Sequence, residues 1–243
     1  MELKNRTILI TGGTSGIGRE LVSQLYPHNK IITISRPTEK LAELANAFPG
    51  ITIYPADLSR IGETTPVSDT IRQNHNQIDI LINNAAVQYT PTFLDKEFAL
   101  KTIQEEITLN FTAICELTYL LMPLLLQSKE AAILNINSGL GLLPKTTSAV
   151  YCGTKGALNI FSQSLRYQLE KTNIHVMQAF MPLVDTQMTE GRGTKKMTRE
   201  KAASQIIKGL RNNHLDNNIG KVKLLRLLMR LLPSTAANIM KRA

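Results

Sequence analysis

Residues Thr7–Gly18 read TILITGGTSGIG, and their order decides the fold. Thr7–Ile10 is a short continuous apolar run, the pattern of a strand buried on both faces, and Gly12-Gly13 ends it in a tight turn. Leu21, Val22 and Leu25 then recur at helical spacing until Pro27. Glycines in such a turn let the backbone approach a pyrophosphate, and the helix start offers free N–H groups and the positive end of its dipole. A glycine-rich turn alone also suits plain strand-to-helix packing. With a strand before it and a helix after it, the turn reads as one half of a dinucleotide site, with Gly12, Thr14, Ser15, Gly16, Ile17 and Gly18 as contacts. The spacing is Gly-x-x-x-Gly-x-Gly, not the commoner Gly-x-Gly-x-x-Gly.

The same alternation continues outward. Ile31–Ile34, Ile51–Tyr54, Asp79–Ile82, Ala131–Asn137 and Ile174–Ala179 read as further strands. Between them lie a helix marked by Leu41, Leu44, Ala45 and Phe48, a polar helix within Gly62–Gln73 interrupted by Pro66, a long helical stretch from Phe98 to Leu126 broken near Pro123, and a helix from Ala149 to Lys171. Strands alternating with helices need crossovers, which gives an α/β, Rossmann-like, doubly wound parallel sheet with helices on both faces. Residues 1–243 read as one domain. In such sheets ligands bind beyond the carboxyl ends of the strands. Gly12, Ser35-Arg36, Asp57, Asn83-Asn84 and Ser138 all fall there.

At the end of the second strand an NAD site usually carries an acid for the ribose 2′-hydroxyl, whereas an Arg accommodates a 2′-phosphate. From the start of that strand to Glu39 there is no Asp or Glu, so Arg36 favours NADP(H) over NAD(H), with Arg19 as a further cation. Asp57, with Leu58 beside it, is suited to the adenine amino group or to capping a helix. Asn84 and Ala85 offer an amide and a small residue for close backbone approach, or simply a turn. Tyr151 and Lys155 are four apart, on one helical face. A phenol with a reference pKa of about 10 trades protons poorly at neutral pH, and an ammonium beside it favours the phenolate. Ser138 can hydrogen-bond a substrate oxygen. Asn110, mid-helix, needs a partner or a water. The histidines, His28, His75, His175 and His214, are scattered and read as surface residues, and no metal site is expected.

TGGTSGIG, Asp57, NNAA, Asn110, Ser138 and Tyr151-x-x-x-Lys155 occur in the order of the short-chain dehydrogenases/reductases, and the chain resembles the single-domain branch of that family to about Asn213. The resemblance implies a seven-stranded parallel sheet, a nicotinamide cofactor and an Asn110-Ser138-Tyr151-Lys155 catalytic group. It makes Tyr151 the general acid/base. Lys155 binds the nicotinamide ribose and lowers the tyrosine pKa, Ser138 orients the substrate oxygen, and Asn110 holds a relay water. Val184 and Thr186 then face the nicotinamide amide. Ala86 stands where the family has Gly, Cys152-Gly153-Thr154 lacks the common Ala-Ser pair, and Met181-Pro182 replaces Pro-Gly. The segment after the sixth strand resembles the oxidoreductases of bacterial D-alanine-transfer operons, which points to a bacterial cytoplasmic enzyme. The substrate implied is a small carbonyl or alcohol, and the assembly a homodimer or homotetramer. The rival reading is a cofactor-binding scaffold, or a membrane-associated partner-binding protein, with incidental turnover.

Net charge is +9 but uneven. Residues 1–190 carry 15 Lys and Arg against 17 Asp and Glu, a net of −2. Residues 191–243 carry 13 against Glu200 and Asp216 only, a net of +11. A local excess calls for a local explanation: an anionic ligand, a membrane surface or an acidic partner. No nucleic-acid partner is expected. Residues 187–199 read as a mobile substrate loop, followed by a helix that Thr198 caps. Residues 219–243 form a basic amphipathic segment whose apolar arc is too wide for a lone surface helix. It suits packing on the body or a second subunit, peripheral membrane contact, or a lid. A seventh strand near Ile219–Leu224 would shorten its helix. No signal peptide or membrane span is expected. Cys115 and Cys152 suggest a reducing compartment.

Overall fold

The computed structural model describes residues 1–242. In chain order these run β1 (Thr7–Thr11), α1 (Gly16–Leu25), β2 (Lys30–Ser35), α2 (Glu39–Ala47), β3 (Thr52–Pro55), α3 (Thr64–Asn74), β4 (Ile80–Asn83), α4 (Leu100–Ile107), α5 (Ala113–Leu126), β5 (Ala131–Ser138), α6 (Ala149–Gln168), β6 (Ile174–Met181), α7 (Arg199–Arg211), β7 (Asp216–Asn218), α8 (Val222–Leu231) and α9 (Pro233–Lys241). All seven strands are parallel, in the order β3-β2-β1-β4-β5-β6-β7. Strand order reverses direction between β1 and β4, which opens the crevice where such sheets bind ligands.

The period-two geometry of a strand explains the two cores. Ile8, Ile10, Ile80 and Ile82 face α1 and α7, packing with Leu21, Val22, Ala202, Ala203 and Ile206. Leu9 and Leu81 point the other way, toward α3 and α5, with Val67, Ile71, Leu117 and Leu121. Each fully buried side chain of this kind stabilises by about 1.5–3 kcal/mol relative to exposure. Both faces are covered, so the strands read as continuous apolar runs.

Four local expectations are corrected. Pro66 does not interrupt a helix: it is in the first turn of α3, where an N–H has no intrahelical partner to lose. Pro123 does not break the long stretch, which starts at Leu100. It lies on the exposed side of α5, so the carbonyl of the exposed Tyr119 that it leaves unpaired can turn to water. The irregularity is instead a π-turn at Thr108–Thr112, joining α4 to α5. The seventh strand is Asp216–Asn218, pairing with Gln178–Phe180, and it precedes the predicted position, leaving α8 intact. His75 is half-buried, its ring nitrogen 2.9 Å from the Tyr54 hydroxyl, and burial lowers its pKa. Leu100–Leu126 is by length and composition able to cross a bilayer. It contains the π-turn, and Leu117, Leu121, Leu124 and Leu125 pack into the core beneath the sheet.

Candidate active site

Thr11, the last residue of β1, holds the glycine turn in place. Its hydroxyl oxygen accepts from the backbone N–H groups of Asn84 and Ala85, both at 3.0 Å. The Asn84 amide donates in return to the carbonyls of Thr11 at 2.9 Å and Gly12 at 3.2 Å. The ends of β1 and β4 are thereby locked together. Gly12 has φ +72°, and a Cβ there would lie 3.1 Å from the Ala85 Cα. Gly18 leaves no room at all: a Cβ would fall 2.0 Å from the Gly12 carbonyl oxygen and 2.6 Å from the Asn84 amide nitrogen. Ser15 precedes α1 with its side chain exposed and capping nothing, so the first-turn N–H groups at Gly16, Ile17 and Gly18 are open to an anion. Gly16 lies against Thr186 Cγ2, which brings the segment after β6 to the same place. Thr14 is half-buried beside it.

At the end of β2, Ser35 and Thr33 turn their hydroxyls to the Gly13 N–H, at 3.1 and 3.3 Å. Arg36 is exposed and, among the described residues, has no acidic partner. Arg19 stacks over the Phe48 ring at 6.0 Å. Asp57 is neither a helix cap nor free: its carboxylate accepts from the Ser59 N–H at 3.1 Å and hydroxyl at 2.7 Å, and pairs with Arg60 at 3.6 Å. The Leu58 side chain is buried in the core. The residues around the turn are thus small, open and rich in N–H donors, with a cation at the β2 end. They fit a dinucleotide.

Tyr151 sits in the first turn of α6, near the positive end of its dipole. The helix is launched by Ser148, buried and left-handed at φ +60°, whose hydroxyl accepts from the Gln88 amide at 3.1 Å. A non-glycine residue held this way stores backbone strain of the kind found at working sites. Tyr151 and Lys155 are 8% and 2% exposed. The Lys155 ammonium donates to the Ile136 carbonyl at 2.9 Å and stands 5.7 Å from the Tyr151 ring centre. Burial pushes the phenol up to about 12; the nearby Ser138 hydroxyl and the Arg192 charge pull the other way. Burial brings Lys155 down to about 8. In this state burial, not Lys155, sets the direction, and the phenol lies above its ordinary value.

Asn110 lies fully buried in the π-turn. Its amide oxygen accepts from the Val87 N–H, and its nitrogen donates to the Val87 carbonyl, both at 2.9 Å. The same nitrogen is 3.4 Å from Thr154 Oγ1, which donates to the Tyr151 carbonyl at 2.8 Å. Asn110 thus ties the turn after β4 to the helix carrying Tyr151.

Several site residues escape a reading of sequence. Glu106 is 2% exposed, accepts from the Tyr89 N–H at 2.8 Å, and is held above the ordinary carboxylate range by burial. It lies within electrostatic reach of Tyr151 and Cys152. Lys145 and Arg192 are half-buried, interact with each other, and have no acidic partner among the described residues. The 187–199 loop is fastened at its base. Asp185 N–H donates to Met197 O at 2.8 Å, Met197 N–H to Leu183 O at 3.0 Å, and Lys196 Nζ to Thr189 O at 2.6 Å. Thr189 also donates to the Val184 carbonyl at 2.5 Å. Arg192 lies in this loop between Gly191 and Gly193.

Residues 6–197 match the family model of the short chain dehydrogenases. The chain belongs to that family. This short-chain dehydrogenase is 35% identical over 191 residues to the uncharacterized oxidoreductase DltE of Bacillus subtilis, covering 78% of this chain and 76% of the relative. It is 29% identical over 203 residues to the very-long-chain 3-oxoacyl-CoA reductase of Rattus norvegicus, 81% of this chain and 64% of the rat protein. Among solved structures, a short-chain dehydrogenase from Sphingobium yanoikuyae in complex with NADPH superposes with a TM-score of 0.79 at 26% identity, covering 96% and 93% of the two chains. One from Burkholderia cenocepacia in complex with NADP reaches 0.88 at 18% identity, with 99% of both chains covered, a likeness of fold. The protein is a family oxidoreductase that resembles DltE.

Proposed function

We propose that this dehydrogenase transfers hydride between NADP(H) and a carbonyl or secondary-alcohol substrate, with Tyr151 as general acid/base. One observation carries the reading. A buried phenol, with the Ser138 hydroxyl beside it and an ammonium one turn further along α6, lies at the same sheet end as a glycine turn built to receive a pyrophosphate.

Gly12, Thr14, Ser15, Gly16, Ile17 and Gly18 would hold the pyrophosphate, with Arg36 at the 2′-phosphate. Asp57, Leu58, Asn84 and Ala85 would line the adenosine side, and Val184 and Thr186 the nicotinamide amide. The nicotinamide, when bound, supplies or accepts the hydride. Ser138 donates to the substrate oxygen and orients the carbonyl. In reduction Tyr151 gives its proton to the oxygen as alkoxide character develops; in oxidation it takes that proton back. A high pKa suits the donor role, because the phenol stays protonated at neutral pH until an oxygen of comparable basicity appears. Lys155 holds the nicotinamide ribose in place of the Ile136 carbonyl. Asn110 keeps the 84–88 turn in position, and its own turn of helix orders the water that reprotonates the tyrosine. The exposed Tyr119 and Leu126 of α5 and Ile160 and Tyr167 of α6 support a homodimer or homotetramer.

The test is a panel of carbonyl compounds with NADPH and with NADH, followed by loss of the reduced-nicotinamide absorbance. Turnover with NADPH on at least one ketone or aldehyde supports the reading. Tight cofactor binding with no turnover across a broad panel, in either direction, favours the scaffold reading instead.

A further inference from the structure

The chain ends in a helical hairpin with two apolar sides, and the fold uses only one. On α8, Val222 and Leu225 are buried against the turn at Gly139, where a Cβ would meet them at 3.3 and 3.5 Å. Arg226 stacks over the Phe180 ring at 4.8 Å, bonds the Asn218 amide oxygen at 3.1 Å and pairs with Asp216 at 3.5 Å. On α9, Ala236 is buried, and Thr146 donates to the Lys241 carbonyl at 2.6 Å. The hairpin is therefore docked, not trailing.

Its other side faces outward, and among the described residues nothing lies over it. Leu224, Leu227 and Leu231, spaced three and four apart and so stacked in one stripe, are 57%, 52% and 64% exposed. Leu232 and Ile239 add 54% and 53%. Around them stand Lys221, Lys223, Arg230, Lys241 and Arg242, all exposed and none in an ion pair among the described residues. No acidic residue follows Asp216 in the sequence. Arg226, the one cation of this segment with a structural use, is not part of that set.

We propose that the outer face of α8 and α9 docks on an anionic membrane surface. A leucine stripe bordered by Lys and Arg is the form of a helix lying in the headgroup plane, its apolar side immersed and its cations reaching phosphates. A second copy fits this face badly. A two-fold contact puts the same patch on both subunits, so five cations would meet five cations, and neither copy of the patch supplies an acid. The inference stands on this face alone and does not depend on the reaction assigned to the site.

The experiment is flotation of the full chain with phosphatidylcholine vesicles and with vesicles that also contain phosphatidylglycerol, each at low and high salt. Light scattering runs in parallel. Binding is expected only with phosphatidylglycerol and should fall about tenfold or more at high salt, as screening shortens the reach of surface charge. Leu224→Ser, Leu227→Ser and Leu231→Ser together, and separately Lys223→Glu with Arg230→Glu, should each abolish it while thermal unfolding is unchanged, because these side chains are exposed. Absence of binding to either vesicle overturns the proposal, as does equal binding to both. So does lipid-independent self-association that the triple leucine variant disperses, which would make the face a subunit contact.

Discussion

The Lys155 ammonium and the Tyr151 ring are 5.7 Å apart, and the lysine's hydrogen bond goes to the Ile136 carbonyl. Both are deeply buried, and burial moves their pKa values in opposite directions, the phenol up to about 12 and the ammonium down to about 8. The pair is consequently tuned by dehydration more than by mutual attraction.

That has a sign for stability. The unfolded chain binds the lysine proton up to about pH 10.4, and the folded protein releases it near 8, so between these values the unfolded state holds more protons and stability rises with pH. The tyrosine does the reverse, contributing below about pH 10 and losing that contribution as pH climbs toward 12. Thermal melts of wild type and Lys155→Met from pH 7 to pH 10 isolate the lysine. The variant should gain on wild type at the low end by an amount on the order of 3 kcal/mol, and the gap should close by about pH 10. A gap that does not change with pH would contradict a buried, proton-releasing lysine.

Arg192 acts on the same phenol from the loop after β6. Its charge lowers the Tyr151 pKa, so Arg192→Gln should move the pH midpoint of alcohol oxidation upward. A variant that raises KM and leaves the pH profile in place would mean that Arg192 only touches substrate.

Arg36 is exposed at the end of β2, with no acidic partner among the described residues. Arg36→Ala should weaken NADPH binding about tenfold or more while NADH binding changes little, since a charge-assisted bond to phosphate is worth about 1.5–3 kcal/mol. Isothermal titration of both cofactors checks this. Equal losses for the two would refute the 2′-phosphate role.

The same substitution at two glycines should act with opposite signs. Gly18→Ala forces a Cβ against the Gly12 carbonyl and should cost about 1–3 kcal/mol and much of the cofactor affinity. Gly153, exposed inside α6 with nothing near its absent Cβ, should gain about 0.5–1 kcal/mol as Ala. Denaturant melts of the two variants give both signs directly.

Most of the architecture was legible because it is written in local pattern. Buried parallel strands are apolar runs, and the glycine turn sits where strand becomes helix. What escaped depends on distance in sequence or on burial. Asp216–Asn218 is three polar residues at a sheet edge, a strand only because Gln178–Phe180 offers it a partner. Pro123 looked like a break because sequence does not reveal which side of α5 meets water. The π-turn around Asn110 exists where its amide reaches Val87, and no periodicity marks it. Thr11 stands in the motif, yet its part in joining β1 to β4 appears only when Asn84 comes across. The direction of the Tyr151 pKa could not be read from helical spacing, since spacing gives the neighbour and not the dehydration. Arg192 and Glu106 act on the phenol from separate segments, and Lys145, from a third, faces Arg192 and Cys152.

The central claim is that the Tyr151 hydroxyl moves the proton. Tyr151→Phe keeps the ring, its packing and the start of α6 and removes only that oxygen. With NADPH and a carbonyl that the wild type turns over, kcat should fall about 100- to 10,000-fold, the range lost with a general acid, while NADPH affinity by fluorescence titration stays within a few-fold. A Tyr151→Phe protein that binds NADPH and reduces the same carbonyl at the wild-type rate would contradict the account.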